Sequence, residues 1–200
     1  TQKSIEYFIQ FKKNNTMFDI RKIQEQTIFE AIKNESNDET ASEIVYGQNQ
    51  SEIENDPTWV KNTMRRLENR FSPEKVKTIR MNCQCGYAMD EKLKLVESLM
   101  QGANSLEDFA DNERANAAGL SVINGELHLQ FPFCPCPMVA QVDKLETNTW
   151  CQCTTGYSKV LFEKALGCPV DVELLKSIKM GDEICLMKIV PYGLIWGNQG

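Results

Sequence analysis

The sequence predicts an α+β fold, a helical N-terminal half packed on a C-terminal antiparallel sheet of ββαββ type. Three observations carry this. Up to Gly119, apolar residues recur every three to five positions between helix-capping residues. Then Leu120–Ile123 and Glu126–Phe131 flank Asn124-Gly125, the favoured pair for a type I′ hairpin turn. Finally, a helical run at 153–166 precedes two strand-like runs joined at Gly181-Asp182.

Each element has its local reason. A short helix is expected over 4–14 (Ile5, Phe8 and Ile9 on one side) and a stronger one over 17–34 (Ile20, Ile23, Ile28, Ile32). The stretch 34–56 is polar and acidic, which reads as a linker with a short helix near 40–46. Asp56-Pro57 and Ser72-Pro73 each place proline in a first helical turn, starting helices that run to about Arg70 and Met81. A further amphipathic helix is expected over 88–101. Another, capped at Ser105, should run to about Ala118. After the hairpin, Pro132, Pro135 and Pro137 impose a stiff extended loop. Strands are expected over 170–178 and 183–190, and the aromatic tail 191–200 should dock on the body or on a neighbour. Residues 1–56 form a helical segment and linker, and 57–200 the α+β ligand- or metal-binding domain, the two making one structural unit.

Composition excludes several classes. The 200 residues are 42% hydrophobic and 25% charged, which suits a globular core. A net charge of −6 argues against nucleic acid and anionic membranes as partners. No apolar run approaches the roughly 20 residues needed to span a bilayer, and the start lacks a signal-peptide pattern, so a cytoplasmic location is expected. The basic stretch from Lys61 to Arg80 reads as a solvated helix face.

The cysteines carry the chemistry. Six of eight fall in three Cys-x-Cys pairs: Cys83/Cys85, Cys134/Cys136 and Cys151/Cys153. In a reducing compartment such a set points to metal or thiol chemistry rather than disulfides. Thiolates are soft ligands for zinc or an iron–sulfur cluster, and two pairs complete a four-sulfur site. The pairs are therefore expected to meet in space. A helix starting near Cys153 would lower thiol pKa values there, favouring ligation or nucleophilic attack by Cys151 or Cys153. The only histidine, His128, would have to be the base of a Cys–His enzyme, but its alternation with Leu127 and Leu129 makes it an outward-facing strand residue. Tyr87, Tyr157, Glu163 and Glu173 are alternative acid–base groups, though nothing in their spacing singles them out. Cys168 reads as a turn residue and Cys185 as core.

The run Gly156-Tyr157, Phe162-Glu163, Gly167-Cys168-Pro169-Val170, Glu173, Ser177-Ile178, Gly181-Asp182 and Cys185 resembles the C-terminal part of the 4-vinyl reductase domain superfamily. It is most similar to a Cys-x-Cys-rich bacterial group related to L-2-amino-thiazoline-4-carboxylic acid hydrolase-like proteins. The resemblance implies a small-molecule-binding α+β domain that commonly forms homodimers. It also implies a zinc site drawing on Cys151, Cys185 and Glu173. Ser177 occupies a further cysteine position of that site, where Cys153 could substitute. Tyr87, Tyr157 and Glu173 become the candidate cofactor-binding residues.

Three functions follow as expectations. The first is binding of a metal (zinc or iron–sulfur) or a small ligand through Cys83, Cys85, Cys134, Cys136, Cys151, Cys153 and Cys185. The second is a thiol-dependent hydrolase of a small thiazoline-like amide. The third is a small-molecule sensor module.

Overall fold

The computed structural model describes residues 19–47, 54–193 and 196. The helix expected over 4–14 lies outside the described residues, as do Leu194 and Ile195 of the tail. Eight α-helices and one four-stranded antiparallel sheet make up the described chain, an α+β fold.

Helices α1 (Ile20–Glu35) and α2 (Asp38–Tyr46) pack side by side, each opened by a side-chain cap, Asp19 on the Lys22 N–H and Asn37 on the Thr40 N–H. The expected linker is thus helical over 38–46. Helix α3 (Asp56–Arg70) is capped by Asn55 rather than Asp56, with Pro57 in its first turn. Helix α4 (Pro73–Met81) is capped by Ser72. Helix α5 spans Met89–Met100. The single helix expected over 105–118 is two, α6 (Leu106–Ala110) and α7 (Glu113–Ala117). Asn112 breaks it, because its side chain accepts from the Ala115 N–H and opens a new helix.

Strands β1 (Leu120–Ile123) and β2 (Glu126–Phe131) form the hairpin, with Asn124 and Gly125 at φ 53° and 76°. Helix α8 (Gln152–Leu166) follows the proline loop, and Gly167 closes it in the left-handed region. Strands β3 (Val170–Lys176) and β4 (Cys185–Pro191) complete the order β1-β2-β4-β3. β3 ends before Ser177, whose hydroxyl instead accepts from Lys179 N–H and opens a 3-10 turn. Trp196 docks on this chain's own α6, its ring 5.8 Å from that of Phe109.

The interior has two parts. One joins α1–α4 with Met138, Val139 and Trp150, so residues on either side of position 56 share a core. The other joins α5–α8 with the inward face of the sheet, including Leu127, Leu129, Val172, Met187 and Ile189. The two meet where α8 crosses the end of α4. At that crossing Gly156 lies so close that a Cβ would sit 1.9 Å from the Met81 carbonyl oxygen. Only glycine permits this approach, and it fixes what happens one turn earlier, at Cys153.

Candidate functional site

The seam between the two cores is where the thiols gather. Helix α4 ends at Asn82 and hands on Cys83-Gln84-Cys85. Cys83 is fully buried, its thiol 3.0 Å from the Ile79 carbonyl. The tight crossing at Gly156 brings the Cys153 thiol to 3.0 Å from the Cys83 carbonyl. The proline loop supplies the third pair. Cys136 accepts from the Trp150 indole N–H at 3.4 Å, and Cys134 meets Cys185 on β4 thiol to thiol. Cys151 and the Ser177 hydroxyl are 3.3 Å apart. All three pairs and Cys185 thus occupy one region, whereas Cys168 stays half-buried against the second core.

The sulfurs fall into two groups. The second cysteine of each pair, Cys85, Cys136 and Cys153, lines an apolar cavity of about 210 Å³. Cys134, Cys151 and Cys185 interact with one another, Cys151 and Cys185 also engaging Ser177, and Cys136 couples the two groups through Cys134 and Cys151. Among the described residues no three Cys, His, Asp or Glu side chains converge tightly enough to be a ready-made ion site. Their thiols are engaged instead with carbonyls, Ser177 and Trp150.

Burial governs the protonation of most of these groups. It pushes Cys151 up to about 11, opposed by the Ser177 hydrogen bond and more weakly by Arg80, and Cys153 up to about 12, opposed by Arg80. Cys83, Cys85 and Cys136 are raised for the same reason. This corrects the expectation of lowered values at the α8 N-terminus, since removal from water outweighs the helix dipole. The Cys134–Cys185 pair behaves differently. Cys185 falls to about 7 because the Cys134 thiol donates to it, and Cys134 rises correspondingly.

Arg80 is the residue that the sequence reading misplaced. It is 0% exposed, not part of a solvated face. It lies 4.4 Å over the Trp150 ring and donates from Nη2 to the Trp150 carbonyl at 3.1 Å. Its Nε and Nη1 reach no oxygen or nitrogen acceptor, and the one further side chain that the guanidinium engages as a donor is the neutral Cys83 thiol, a weak acceptor. The signal was present in the sequence: Val76, Ile79/Arg80 and Cys83 fall at helical spacing on one stripe.

Three candidates do not join the thiols. His128 lies on β2 between Leu127 and Leu129, which face the second core, so alternation turns it to the opposite face of the sheet. It is nonetheless buried, with Nδ1 3.0 Å from the Glu126 carbonyl oxygen. A Cys–His pair is therefore not formed. Glu173 is exposed and sits opposite Lys188, while its neighbour Val172 turns inward, so it supplies no carboxylate to the thiols. Glu163 is also engaged elsewhere, with Lys159 at 2.8 Å. Tyr87 and Tyr157 do belong to the site. Both line the cavity, and the Tyr157 hydroxyl donates to the Tyr87 carbonyl at 2.8 Å.

Fold and site together define an α+β protein with a buried thiol cluster beside an apolar cavity. No helix among the described residues is long and apolar enough to cross a membrane. The chain belongs to a family of unknown function, DUF6144, whose model matches residues 17–196. Searches of curated proteins and of solved structures found no match.

Proposed function

We propose that this protein binds a soft metal, as zinc or an iron–sulfur cluster, through thiolates of its Cys-x-Cys pairs. The observation that carries the reading is Arg80. A guanidinium stays charged at any physiological pH, and a buried charge without a partner is costly. Its Nε and Nη1 have no oxygen or nitrogen acceptor, and the neighbours its charge acts on are the thiols of Cys83, with which it makes a weak hydrogen bond, Cys151 and Cys153. Neutral thiols cannot balance it. A metal–thiolate centre carries net negative charge and would.

The donor set fits such a centre chemically. Cys85, Cys136 and Cys153 line one cavity, and Cys134 and Cys151, which interact with Cys136 and with Cys185, extend the set. Each thiol now donates to, or accepts from, a weak partner it can release. Bound metal would supply the positive charge that displaces the thiol protons. Arg80 and the Trp150 indole N–H would then stabilise sulfur from outside the ligand set. A zinc site of the 4-vinyl reductase type would have to draw on Cys151, Cys153 and Cys185 without Glu173. The hydrolase reading has less support, since its base is missing and its candidate nucleophiles are held protonated.

The test is metal and iron–sulfur content of protein purified without oxygen, with thiols counted before and after chelation. About one ion or cluster per chain, with roughly four thiols protected until chelation, is expected. No metal and freely titrating thiols would sink the reading. Arg80→Met sharpens it. The variant should bind metal about ten- to a hundredfold more weakly. Metal-free, the variant loses the Trp150 hydrogen bond and ring contact as well as the under-compensated charge, so its stability should change less than its metal affinity. Unchanged metal affinity in Arg80→Met would remove the argument from charge.

A further inference from the structure

The cavity beside the thiols has features that a metal site alone does not need. It holds about 210 Å³ and is walled mainly by apolar side chains, among them Val96, Leu129, Phe131 and Leu161. An apolar cavity of about 150 Å³ takes a benzene-sized guest, so this one has room for roughly eight to ten non-hydrogen atoms. The wall also carries polar side chains, Tyr87, Tyr157, Thr154 and Ser158 among them, and two further ones decide what it could hold. Gln24, 3% exposed, donates from Nε2 to the Cys83 carbonyl at 3.1 Å. That bond fixes the orientation of its amide and leaves Oε1 buried with no partner. A buried acceptor without a donor is a standing cost of about 1–3 kcal/mol. The second group is Lys92 on α5, a lining residue whose ammonium lies 4.6 Å from the Tyr157 ring centroid; partial removal from water lowers its pKa, opposed by Cys85 and Glu91, while the residue as a whole stays exposed.

We infer that the cavity binds a small, mostly apolar carboxylic acid that also carries an N–H or O–H donor. The apolar body fills the space between Leu161 and Phe131. The carboxylate pairs with Lys92 at the rim, and the donor satisfies Gln24 Oε1. A neutral hydrocarbon would leave Gln24 unsatisfied, and a larger lipid would exceed the volume. The inference stands on the cavity, Gln24 and Lys92. It does not require the metal reading, although Cys85, Cys136 and Cys153 would lie against the bound acid.

The probe is 4-aminobenzoate, which carries an acid, an aromatic body and an N–H donor within the size limit. Its binding is measured by calorimetry on the full chain, metal-free and metal-loaded, beside benzoate and the neutral 4-aminobenzamide. The expected result is a Kd below about 1 mM for 4-aminobenzoate. Benzoate and the amide should each bind about three- to tenfold more weakly. Lys92→Gln lies at the surface and should leave the fold intact. It should erase the preference for acid over amide, and added salt should reduce that preference in wild type. Leu161→Trp should abolish binding of all three. The inference is overturned if no probe binds either form, or if acid and amide bind wild type equally. Metal uptake by the same protein separates the two proposals: probe binding by protein that takes up no zinc or iron on loading would leave this one standing and the thiolate centre refuted.

Discussion

Gly156 determines whether Cys153 and the first cysteine pair meet. Its substitution by alanine sets two effects against each other. Alanine is the better helix former by about 1 kcal/mol. Against that, its Cβ would lie 1.9 Å from the Met81 carbonyl oxygen, a backbone atom that cannot rotate away. Overpacking of this kind costs about 1–3 kcal/mol, and more where backbone must move, so the clash wins. Gly156→Ala should lower stability in urea unfolding and make Cys153 reactive toward an alkylating reagent in the folded state. Equal stability and an unreactive Cys153 would mean that the helices do not cross so closely. At this scale the sequence was only partly legible. Cys151-Gln152-Cys153-Thr154-Thr155-Gly156-Tyr157 drew attention through its cysteines, but nothing local says that Gly156 meets a carbonyl 75 positions earlier. Arg80 was hidden differently, since its charge was read with its basic neighbours instead of with the apolar stripe it shares.

Among the elements, the break between α6 and α7 shows how one side chain sets a boundary. Asn112 accepts from the Ala115 N–H at 3.0 Å and also donates to the Asp108 carbonyl at 2.8 Å. Asn112→Ala should therefore cost about 1 kcal/mol, the usual value of an N-cap, seen as a lower thermal midpoint. A change below a few tenths would show that packing of Phe109 and Ala115 sets the break. Caps of this kind explain why elements were readable. Asn55, Ser72 and Ser105 act within four residues of themselves, so their signals lie in the local sequence. The hairpin was readable for the same reason. The site was not, because its contacts join residues 70 apart, Cys83 with Cys153 and Arg80 with Trp150. The recurrence of Cys-x-Cys indicated convergence. It carried no sign that the second cysteine of each pair would face a cavity while Cys134 and Cys151 turned toward Cys185.

Across the whole molecule, the thiols lie at the seam of two cores, so their ionisation is coupled to folding of the entire chain. Without metal, Cys151 holds its proton up to about 11 when folded, against an ordinary 9.0 once exposed. The proton is held more tightly in the folded state, so its contribution is fully present below about pH 9. It is lost as pH rises from there through about 11. Cys153, raised to about 12, acts with the same sign over a slightly higher window. A metal bound as proposed would reverse the dependence. Ligation needs thiolates, so acid displaces the ion, and loaded protein should gain stability as pH rises from 6 to 8. Other groups titrate in the alkaline range, so the quantity to measure is wild type minus Cys151→Ser/Cys153→Ser, metal-free and reduced, by urea unfolding from pH 7 to 11. This difference should fall above pH 9 in the metal-free state. In the loaded wild type, stability should climb between pH 6 and 8, and calorimetric titration with zinc should release protons to the buffer. A flat difference above pH 9 would show that the thiols are not buried at the seam. Zinc binding without proton release would show that they are not its ligands.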